Sequence, residues 1–113
     1  MLYSDGMTTT TATLDPEIVL DALGDASRRR ILRVLRDGEV TVGQLTDQVP
    51  VGRPAVSKHL GILHGAGLVR FDAQGTRHLY SLAPEGYAAA QEWLAQTWDS
   101  VLDAFAAHVE AGR

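Results

Sequence analysis

The stretch TVGQLTDQVPVGRPAVSKHLGILH, residues 41–64, decides the fold of this chain. Thr41 followed three positions later by Gln44 fits a capping box, which predicts that a short helix begins there. Residues 50–52, Pro-Val-Gly, do not readily continue a helix and predict a tight turn. A further helix is predicted over about residues 53–63. Two helices joined by such a turn have the proportions of a helix-turn-helix.

Two more helices are predicted ahead of this stretch. Residues 15–17, Asp-Pro-Glu, are typical of a helix start, because the aspartate caps, the proline fits the first turn and the glutamate complements the helix dipole. The apolar residues that follow end at Gly24. Asp25 or Ser27 caps a second helix, which carries an arginine cluster and ends at residues 37–38, Asp-Gly.

The hydrophobic period changes beyond the helix-turn-helix. Residues 68–71 and 77–82 are rich in strand-forming side chains and flank a glycine-bearing connection at residues 72–76, which predicts a β-hairpin. A last helix opens at Pro84 and continues toward Glu110. The predicted fold is therefore mainly α with a small β-hairpin wing. Its order of helix, helix, short helix, helix, hairpin and long helix is that of a winged helix-turn-helix.

Length and composition limit the class of protein. The chain has 113 residues and no cysteine, which excludes disulfides, thiolate catalysis and cysteine-based zinc sites. The length predicts one domain over residues 14–111, behind a threonine-rich tail over residues 1–13 that we expect to be disordered. Neither a run of about 18 apolar residues nor a secretory leader is present, so we expect a cytoplasmic protein that does not span a membrane.

Charge is unevenly distributed along the chain, although the formal net charge is only −4. Residues 1–27 carry five acids and no base, and residues 84–113 carry five acids and one arginine. Residues 28–83 carry nine bases and four acids. A basic middle between two acidic ends argues against indiscriminate polyanion binding and permits one surface that faces nucleic acid.

The helix predicted over about residues 53–63 suits the major groove of DNA. Val56, Leu60 and Leu63 form one apolar stripe, and the opposite side is small and polar. Arg53 is suited to bond a guanine, and the serine and lysine that follow suit a base edge and a phosphate. The hairpin tip adds polar residues suited to a phosphate or the minor groove. The predicted DNA-contacting residues are Thr41, Arg53, Pro54, Ala55, Ser57, Lys58, His59, Gln74, Thr76, Arg77 and His78.

The sequence leaves two interpretations open for the contacts of each of three residues. His59 lies at the edge of the apolar stripe and bonds either a phosphate or a backbone carbonyl. His64 is either a solvated residue at the helix end or a phosphate contact. Arg30 either belongs to a solvated helix surface or reaches a phosphate.

The last helix is too long for one small domain to cover. The 28 residues from Pro84 to Ala111 extend about 42 Å, whereas a compact chain of about 100 residues has a radius of gyration near 13 Å. Apolar residues recur along it every three or four positions, so we expect a second copy of the chain to bury them. An aromatic ligand pocket between the subunits is the alternative. The predicted interface residues on this helix are Leu94, Trp98, Val101 and Phe105.

Three motifs resemble the ArsR/SmtB family of transcription regulators. LGDASRRRIL at residues 23–32 is similar to the family's opening, and GTRHLY at residues 75–80 to its wing strand. RPAVSKHL at residues 53–60, followed by AGLV at residues 66–69, resembles the family's recognition segment. The motifs stand in the family's order, and the resemblance spans about residues 15–108.

This resemblance implies a homodimer whose fourth helix reads DNA and whose first and last helices build the subunit interface. On the first helix, Ile18 and Val19 are the residues expected there. Two recognition helices about 34 Å apart around a two-fold axis predict an inverted-repeat operator. The resemblance also implies repression by occlusion of a promoter, whereas the residues themselves do not distinguish a repressor from an activator.

Departures from the family's metal sensors predict that this chain uses no metal and no cofactor. The founding sensors carry a Cys-x-Cys pair on the third helix, where residues 42–47 here read VGQLTD. Another branch binds zinc between last helices through Asp-x-His and a later His-x-x-Glu or His-x-x-His. Here the last helix has one histidine, His108, with Glu110 at the wrong spacing. The chain is more similar to the thiol-free branch, which includes autorepressors.

Two alternative functions stay open beside a metal-independent repressor. One is a metal-responsive repressor with histidine and carboxylate ligands, and the other is a winged-helix module that binds a protein. Protein docking favours exposed apolar side chains over a face of Arg53, Ser57 and Lys58. An enzyme is not expected, because Ser57 and His59 face different sides of a helix and no catalytic motif is present. The identity of a small-molecule or protein effector stays open.

Overall fold

The computed structural model describes residues 14–112. Within them the chain forms α1 (Pro16–Leu23), α2 (Ala26–Arg36), β1 (Val40–Thr41), α3 (Val42–Thr46), α4 (Arg53–Gly65), β2 (Val69–Gln74), β3 (Arg77–Leu82) and α5 (Pro84–Ala111). This is the mainly helical fold with a β wing that the sequence predicts. The tail expected over residues 1–13 lies outside the described residues.

Side-chain caps begin the first three helices. Asp15 caps α1 and accepts a hydrogen bond from a backbone N–H at 2.9 Å. Asp25, rather than Ser27, caps α2 and accepts from a backbone N–H at 3.0 Å. The capping box of α3 is complete, because Thr41 and Gln44 each accept a bond from the other's backbone N–H, at 3.2 and 2.9 Å. These bonds satisfy donors that a helix start otherwise leaves unpaired.

The fourth helix has one face in the core and one in solvent. α4 begins directly after Gly52, with Pro54 in the first turn, where a missing N–H costs little. Val56, Leu60 and Leu63 are at most 1% exposed, as their spacing predicts. The opposite face of α4 is therefore held toward solvent by the packing of these three residues.

The sheet has three antiparallel strands in the order β1-β3-β2, where the sequence predicts two. The additional strand, β1, pairs Val40 with Tyr80 and Thr41 with Leu79. A two-residue strand has no alternation for a sequence pattern to detect. Thr41 is also the cap of α3, so its local signal is that of a helix start.

The hairpin connection is shorter than predicted. A connection over residues 72–76 is wrong, because residues 72–74 belong to β2 and the pairing continues to Gln74 opposite Arg77. The turn consists of residues 75–76, Gly-Thr, with a φ of +65° at the glycine. A two-residue turn with glycine at positive φ joins two strands tightly, and the pairing overrides the weak strand propensity of Asp, Ala and Gln.

One hydrophobic core holds the helix-turn-helix in place. Its largest fully buried side chains are Val19, Ile31, Leu45, Val56, Leu60, Leu63, Leu68 and Val69. They come from α1 to α4 and from the entry into β2, so each of the first four helices is anchored by burial. The solvent-facing side of α4 and the wing are thereby displayed on a packed support.

A close backbone contact seats the start of α5 on the end of α4. The Gly86 N–H donates to the Gly67 carbonyl at 2.7 Å. A Cβ atom on Gly86 would lie 2.6 Å from the Ala66 carbonyl oxygen, a distance that Cβ atoms in proteins essentially never show. Glycine is therefore required at this crossing.

Most of α5 lies outside the core. It has 28 residues, of which Gly86 and Ala90 are buried. Its exposed large apolar side chains are Tyr87, Leu94, Trp98, Val101, Leu102, Phe105 and Val109. None of the helices in the described part of the chain has both the length and the hydropathy that a membrane crossing requires.

Candidate nucleic-acid interface

The outer face of α4 presents polar and small side chains to solvent. Arg53, Pro54, Ser57 and Lys58 are exposed, and Ala55 is half-buried between this face and the core. Arg53 is the first residue of the helix. A face of this size and polarity meets what a major groove about 12 Å wide requires of an inserted helix.

A cleft of about 350 Å³ joins α4 to the wing. Arg53 from α4 lines it together with Thr41 at the start of α3. Thr76, Arg77 and His78 from the wing line its other side. The fold thus brings together five residues that the sequence predicts as DNA contacts and that lie up to 37 positions apart. We call this set the reading cleft.

The remaining predicted wing residue, Gln74, lies at the tip of the hairpin. It is exposed and ends β2 directly opposite Arg77. The tight turn that follows projects Thr76 and Arg77 away from the core. Gln74 and Arg77 therefore occupy neighbouring positions at one end of the wing, and of the two only Arg77 lines the reading cleft.

An aromatic stack supports the wing against α4. The Phe71 ring lies 4.4 Å from the His78 ring and 5.3 Å from the Tyr80 ring, measured between centroids. The exposed His64 ring, at the end of α4, lies 5.2 Å from Phe71 on the other side. An aromatic pair such as Phe71 with Tyr80 contributes about 0.5–1.5 kcal/mol beyond its buried area. The stack gives His64 a protein contact that sequence reasoning did not anticipate.

His59 is turned away from the outer face of α4. It is half-buried, and its Nδ1 lies 3.4 Å from Nη1 of Arg28, while its Nε2 lies 4.0 Å from Oδ2 of Asp25. A guanidinium only donates, so this contact is a hydrogen bond in the neutral tautomer whose Nδ1 carries a lone pair and whose Nε2, on the side of Asp25, carries the proton. In this structure the partners of His59 are a guanidinium and a carboxylate rather than a backbone carbonyl.

Arg28 links three helices, a role that sequence reasoning missed. From α2 it donates to two carbonyls at the end of α1, through Nε to Ala22 at 2.7 Å and through Nη2 to Asp21 at 3.2 Å. Through Nη1 it contacts His59 on α4. The Arg28 side chain is hydrogen-bonded within the protein, whereas Arg30 on the same helix is exposed. The run of three arginines in the sequence carries no signal that separates them.

The carboxyl group of Asp25 is the one described group with a clear electrostatic perturbation. The backbone N–H of Arg28 donates to it, and this hydrogen bond holds the pKa of Asp25 below its ordinary value of 3.8. The positive charge of Arg28 and the nearby His59 lower the pKa further, and partial desolvation opposes them. The cap of α2 is therefore a carboxylate at neutral pH.

The predicted dimer residues divide into exposed and buried ones. Ile18 on α1 is 53% exposed, and Trp98 and Phe105 on α5 are 60% and 64% exposed. Leu94 and Val101 on the same stripe are about half exposed. Val19, by contrast, is 1% exposed and packs in the core of its own chain, because it lies about 100° around α1 from Ile18 and so faces the core. It is not available as a surface contact.

Within residues 14–112, no group of three or more histidine, cysteine or acidic side chains is close enough together to hold a metal ion. His108 and Glu110 are both exposed near the end of α5.

Comparison with known proteins places this geometry in a family. The family described as bacterial regulatory protein, arsR family, matches residues 25–70. The HTH-type transcriptional regulator Rv2034 of Mycobacterium tuberculosis is 40% identical over 96 residues, which cover 85% of this chain and 90% of that protein. The chain belongs to the ArsR family. It is therefore a DNA-binding transcriptional regulator with a winged helix-turn-helix fold, and not an enzyme.

One further sequence relative and one solved structure are also similar to this ArsR-family regulator. The transcriptional repressor SdpR of Bacillus subtilis is 34% identical over 64 residues, covering 57% of this chain and 71% of that protein. The solved structure of an ArsR-like transcriptional regulator from Rhodococcus sp. RHA1 superposes with a TM-score of 0.66 at 31% identity. That match covers 80% of this chain and 88% of the Rhodococcus chain.

Proposed function

We propose that this ArsR-family regulator is a homodimeric repressor that binds an inverted-repeat operator through α4 and the wing. The observation that carries the proposal is the reading cleft, which joins the start of α4 to the wing. A cleft lined by two arginines, two threonines and a histidine suits the acceptor-rich edge of a base pair and the phosphates beside it.

Base recognition is assigned to the first turns of α4. Arg53 bonds a guanine through two N–H groups, and Ser57, one turn later, faces a base edge. Lys58 and Arg77 contact phosphates on either side, which fixes the register of the helix without reading sequence. His59 contributes indirectly, since its ring is engaged with Arg28 and Asp25.

Dimerisation is assigned to the exposed stripe on α5, with Ile18 of α1 beside it. Four apolar side chains of the stripe, Leu94, Trp98, Val101 and Phe105, are half exposed or more in the single chain, and so is Ile18. A water-exposed stripe of this length is a surface that a partner normally covers, and a two-fold contact between copies covers both stripes at once. The two α4 helices then enter successive major grooves about 34 Å apart.

Repression follows from position on the promoter. A dimer that covers two half-sites excludes polymerase from the same DNA. The relationship to a protein named as a transcriptional repressor supports this direction of regulation over activation.

Metal independence and a cytoplasmic location complete the proposal. The chain has no cysteine, so the thiolate ligands of the family's metal sensors have no counterpart. The described histidines and carboxylates do not converge on a common point, which disfavours a site built from nitrogen and oxygen ligands. Contact with chromosomal DNA requires a cytoplasmic location in a bacterium.

Selection from random duplex DNA tests the proposal. The full chain is used at a fixed salt concentration, with and without a chelator, and the enriched duplexes are sequenced. We expect an inverted repeat with half-sites one helical turn apart that is indifferent to the chelator. Enrichment that depends on metal would replace the proposal by a metal-responsive repressor. Weak, salt-sensitive binding without enrichment would favour a module that binds protein.

A further inference from the structure

A second pocket lies away from the reading cleft, between α1, α2, the end of the wing strand and α5. It has a volume of about 230 Å³. Leu23, Leu32, Leu82 and Tyr87 form its apolar floor, and none of its lining residues belongs to the reading cleft. A cavity with an apolar floor and a few charged groups at its rim has the general character of a small-molecule site.

Three arginines of α2 line this pocket together with the apolar residues. Arg29, Arg33 and Arg36 line the pocket from one face of α2, one and two helical turns apart. All three arginines are exposed. Nη1 of Arg29 donates a hydrogen bond to the Leu23 carbonyl at 2.8 Å. We call this site the arginine pocket.

The positive charge at the arginine pocket is not neutralised within the described chain. Between residues 14 and 112 the one acid–base pair closer than about 4 Å is His59 with Asp25. The acids nearest in sequence to Arg33 and Arg36, Asp37 and Glu39, line a different cleft beside Val34. Asp25, four positions before Arg29, contacts the backbone N–H of Arg28 and the ring of His59. Three like charges over an apolar floor therefore lack an internal anion and attract one from solution.

We propose that the arginine pocket binds a carboxylate that carries a short apolar chain, and that this ligand regulates DNA binding. The guanidinium fork pairs with both oxygens of a carboxylate, while the leucines and Tyr87 cover the chain. The apolar floor favours this ligand over a DNA phosphate, because a phosphate has no apolar part for the floor to bury.

The regulatory part rests on the proposed function. The pocket touches the end of α1 at Leu23 and the first turn of α5 at Tyr87, the two helices assigned to dimerisation. It also touches Leu82, the last residue of the wing strand β3. A ligand seated here contacts the dimer helices and the wing at once, so its occupancy is coupled to the spacing of the two reading surfaces.

Calorimetric titration of the full chain with sodium octanoate tests the binding step. Octan-1-ol and octylammonium chloride serve as neutral and cationic ligands with the same chain. We expect saturable binding of octanoate at one site per chain, at least about tenfold weaker binding of the alcohol, and none of the ammonium ion. Equal affinity for octanoate and the alcohol would overturn the proposal, because the arginine stems would then merely cover apolar surface. Absence of saturable octanoate binding would overturn it as well.

Two variants locate the site. R33Q and R36Q each remove one guanidinium from an exposed position, so folding is preserved, and we expect each to weaken octanoate binding about tenfold. R70Q removes an exposed arginine on β2 that does not line the pocket and leaves the affinity within about twofold. If R70Q and R33Q lost octanoate affinity equally, octanoate would be attracted by the positive charge of the chain in general. That outcome would exclude the arginine pocket as the binding site.

A final titration separates the ligand site from the proposed function. Octanoate is added to the complex with the selected operator, followed by fluorescence anisotropy. Release of DNA by the original chain but not by R33Q supports both parts. If octanoate binds without changing the affinity for the operator, the carboxylate site is supported and its regulatory role is overturned. If no operator is found, the proposed function fails, and calorimetry still decides whether the pocket binds carboxylates.

Discussion

Arg53 and Arg77 face the same cleft from opposite sides, and we assign them different tasks. Arg53 begins a helix whose face fits the major groove, whereas Arg77 sits beside the turn of the wing. We expect Arg53→Ala to weaken binding to the selected operator by about 1–3 kcal/mol and to relax one base position in each half-site.

Arg77→Ala is the matched control for this prediction. It removes the same charge from the same cleft, and we expect it to weaken binding to all sequences alike and to lower the salt slope by about one. Both are measured as operator affinity against a panel of single-base variants at several salt concentrations. Unchanged base preference in Arg53→Ala would remove Arg53 from the set of reading residues.

Asp25 makes stability depend on pH through the cap of α2. Its pKa is lower in the folded chain than its ordinary value of 3.8, so the folded state binds its proton less readily than the unfolded state. The resulting stabilisation is fully present above about pH 4 and is lost as the pH falls through the folded pKa.

Asp25→Asn keeps the capping oxygen and removes the charge. We expect its Tm to lie below that of the original chain at pH 7 and the difference to shrink at acid pH. Thermal unfolding by circular dichroism at several pH values measures both. Asp72→Asn, on the exposed wing strand β2, is the control. A Tm difference for Asp25→Asn that is constant down to pH 2 would contradict the assignment of the cap charge.

At the scale of elements, the fold depends on a few contacts between helix ends. Arg28 joins the end of α1 to α4, and the backbone contact between Gly67 and Gly86 joins the end of α4 to the start of α5. These junctions set the angles at which α4 and α5 leave the core. The reading face and the exposed stripe on α5 are oriented by them.

Gly86→Ala tests the second junction. The added Cβ atom would stand 2.6 Å from the Ala66 carbonyl oxygen, so the backbones must separate. We expect a loss of about 1–3 kcal/mol in the free energy of unfolding, measured by urea denaturation. Gly61→Ala on α4 is the control, since nothing lies within 4 Å of its added Cβ atom. It is expected to stabilise the chain by up to about 1 kcal/mol because alanine favours a helix. Equal stability of both variants would show that the crossing is not tight.

For the whole molecule, the exposed stripe on α5 predicts the oligomeric state. Trp98 is 60% exposed and lies near the middle of the stripe. We expect Trp98→Glu to convert the dimer into a monomer and to reduce operator affinity by at least about a hundredfold, because one reading surface is lost. Sedimentation velocity and operator titration measure the two effects.

Ala107→Glu provides the control for the dimer. Ala107 is exposed on the same helix, half a turn away from Trp98 in projection, so the same charge is added off the stripe. We expect this variant to remain dimeric and to bind DNA normally. Dissociation of both variants would point to a different interface. If Trp98→Glu stayed dimeric, the stripe would be excluded as the dimer interface.

Much of the fold is readable from short-range patterns. The caps at Asp15 and Thr41, the buried stripe on α4 and the length of α5 all follow from residues within a few positions of one another. Each depends on a backbone geometry that a helix imposes locally. The family resemblance added the expectation of a homodimer and of repression, whereas the wing and the outer face of α4 followed from the residues themselves.

The sequence by itself therefore determined the helices, their order and the chemistry of the outer face of α4. Only the tertiary structure decided that β1 joins the sheet, that Val19 is a core residue and that Arg28 meets His59, 31 positions away. The same holds for the arginine pocket, whose walls come from α1, α2, β3 and α5. Such contacts join residues that no local period relates, so they exist only once burial of the common core has brought distant segments together.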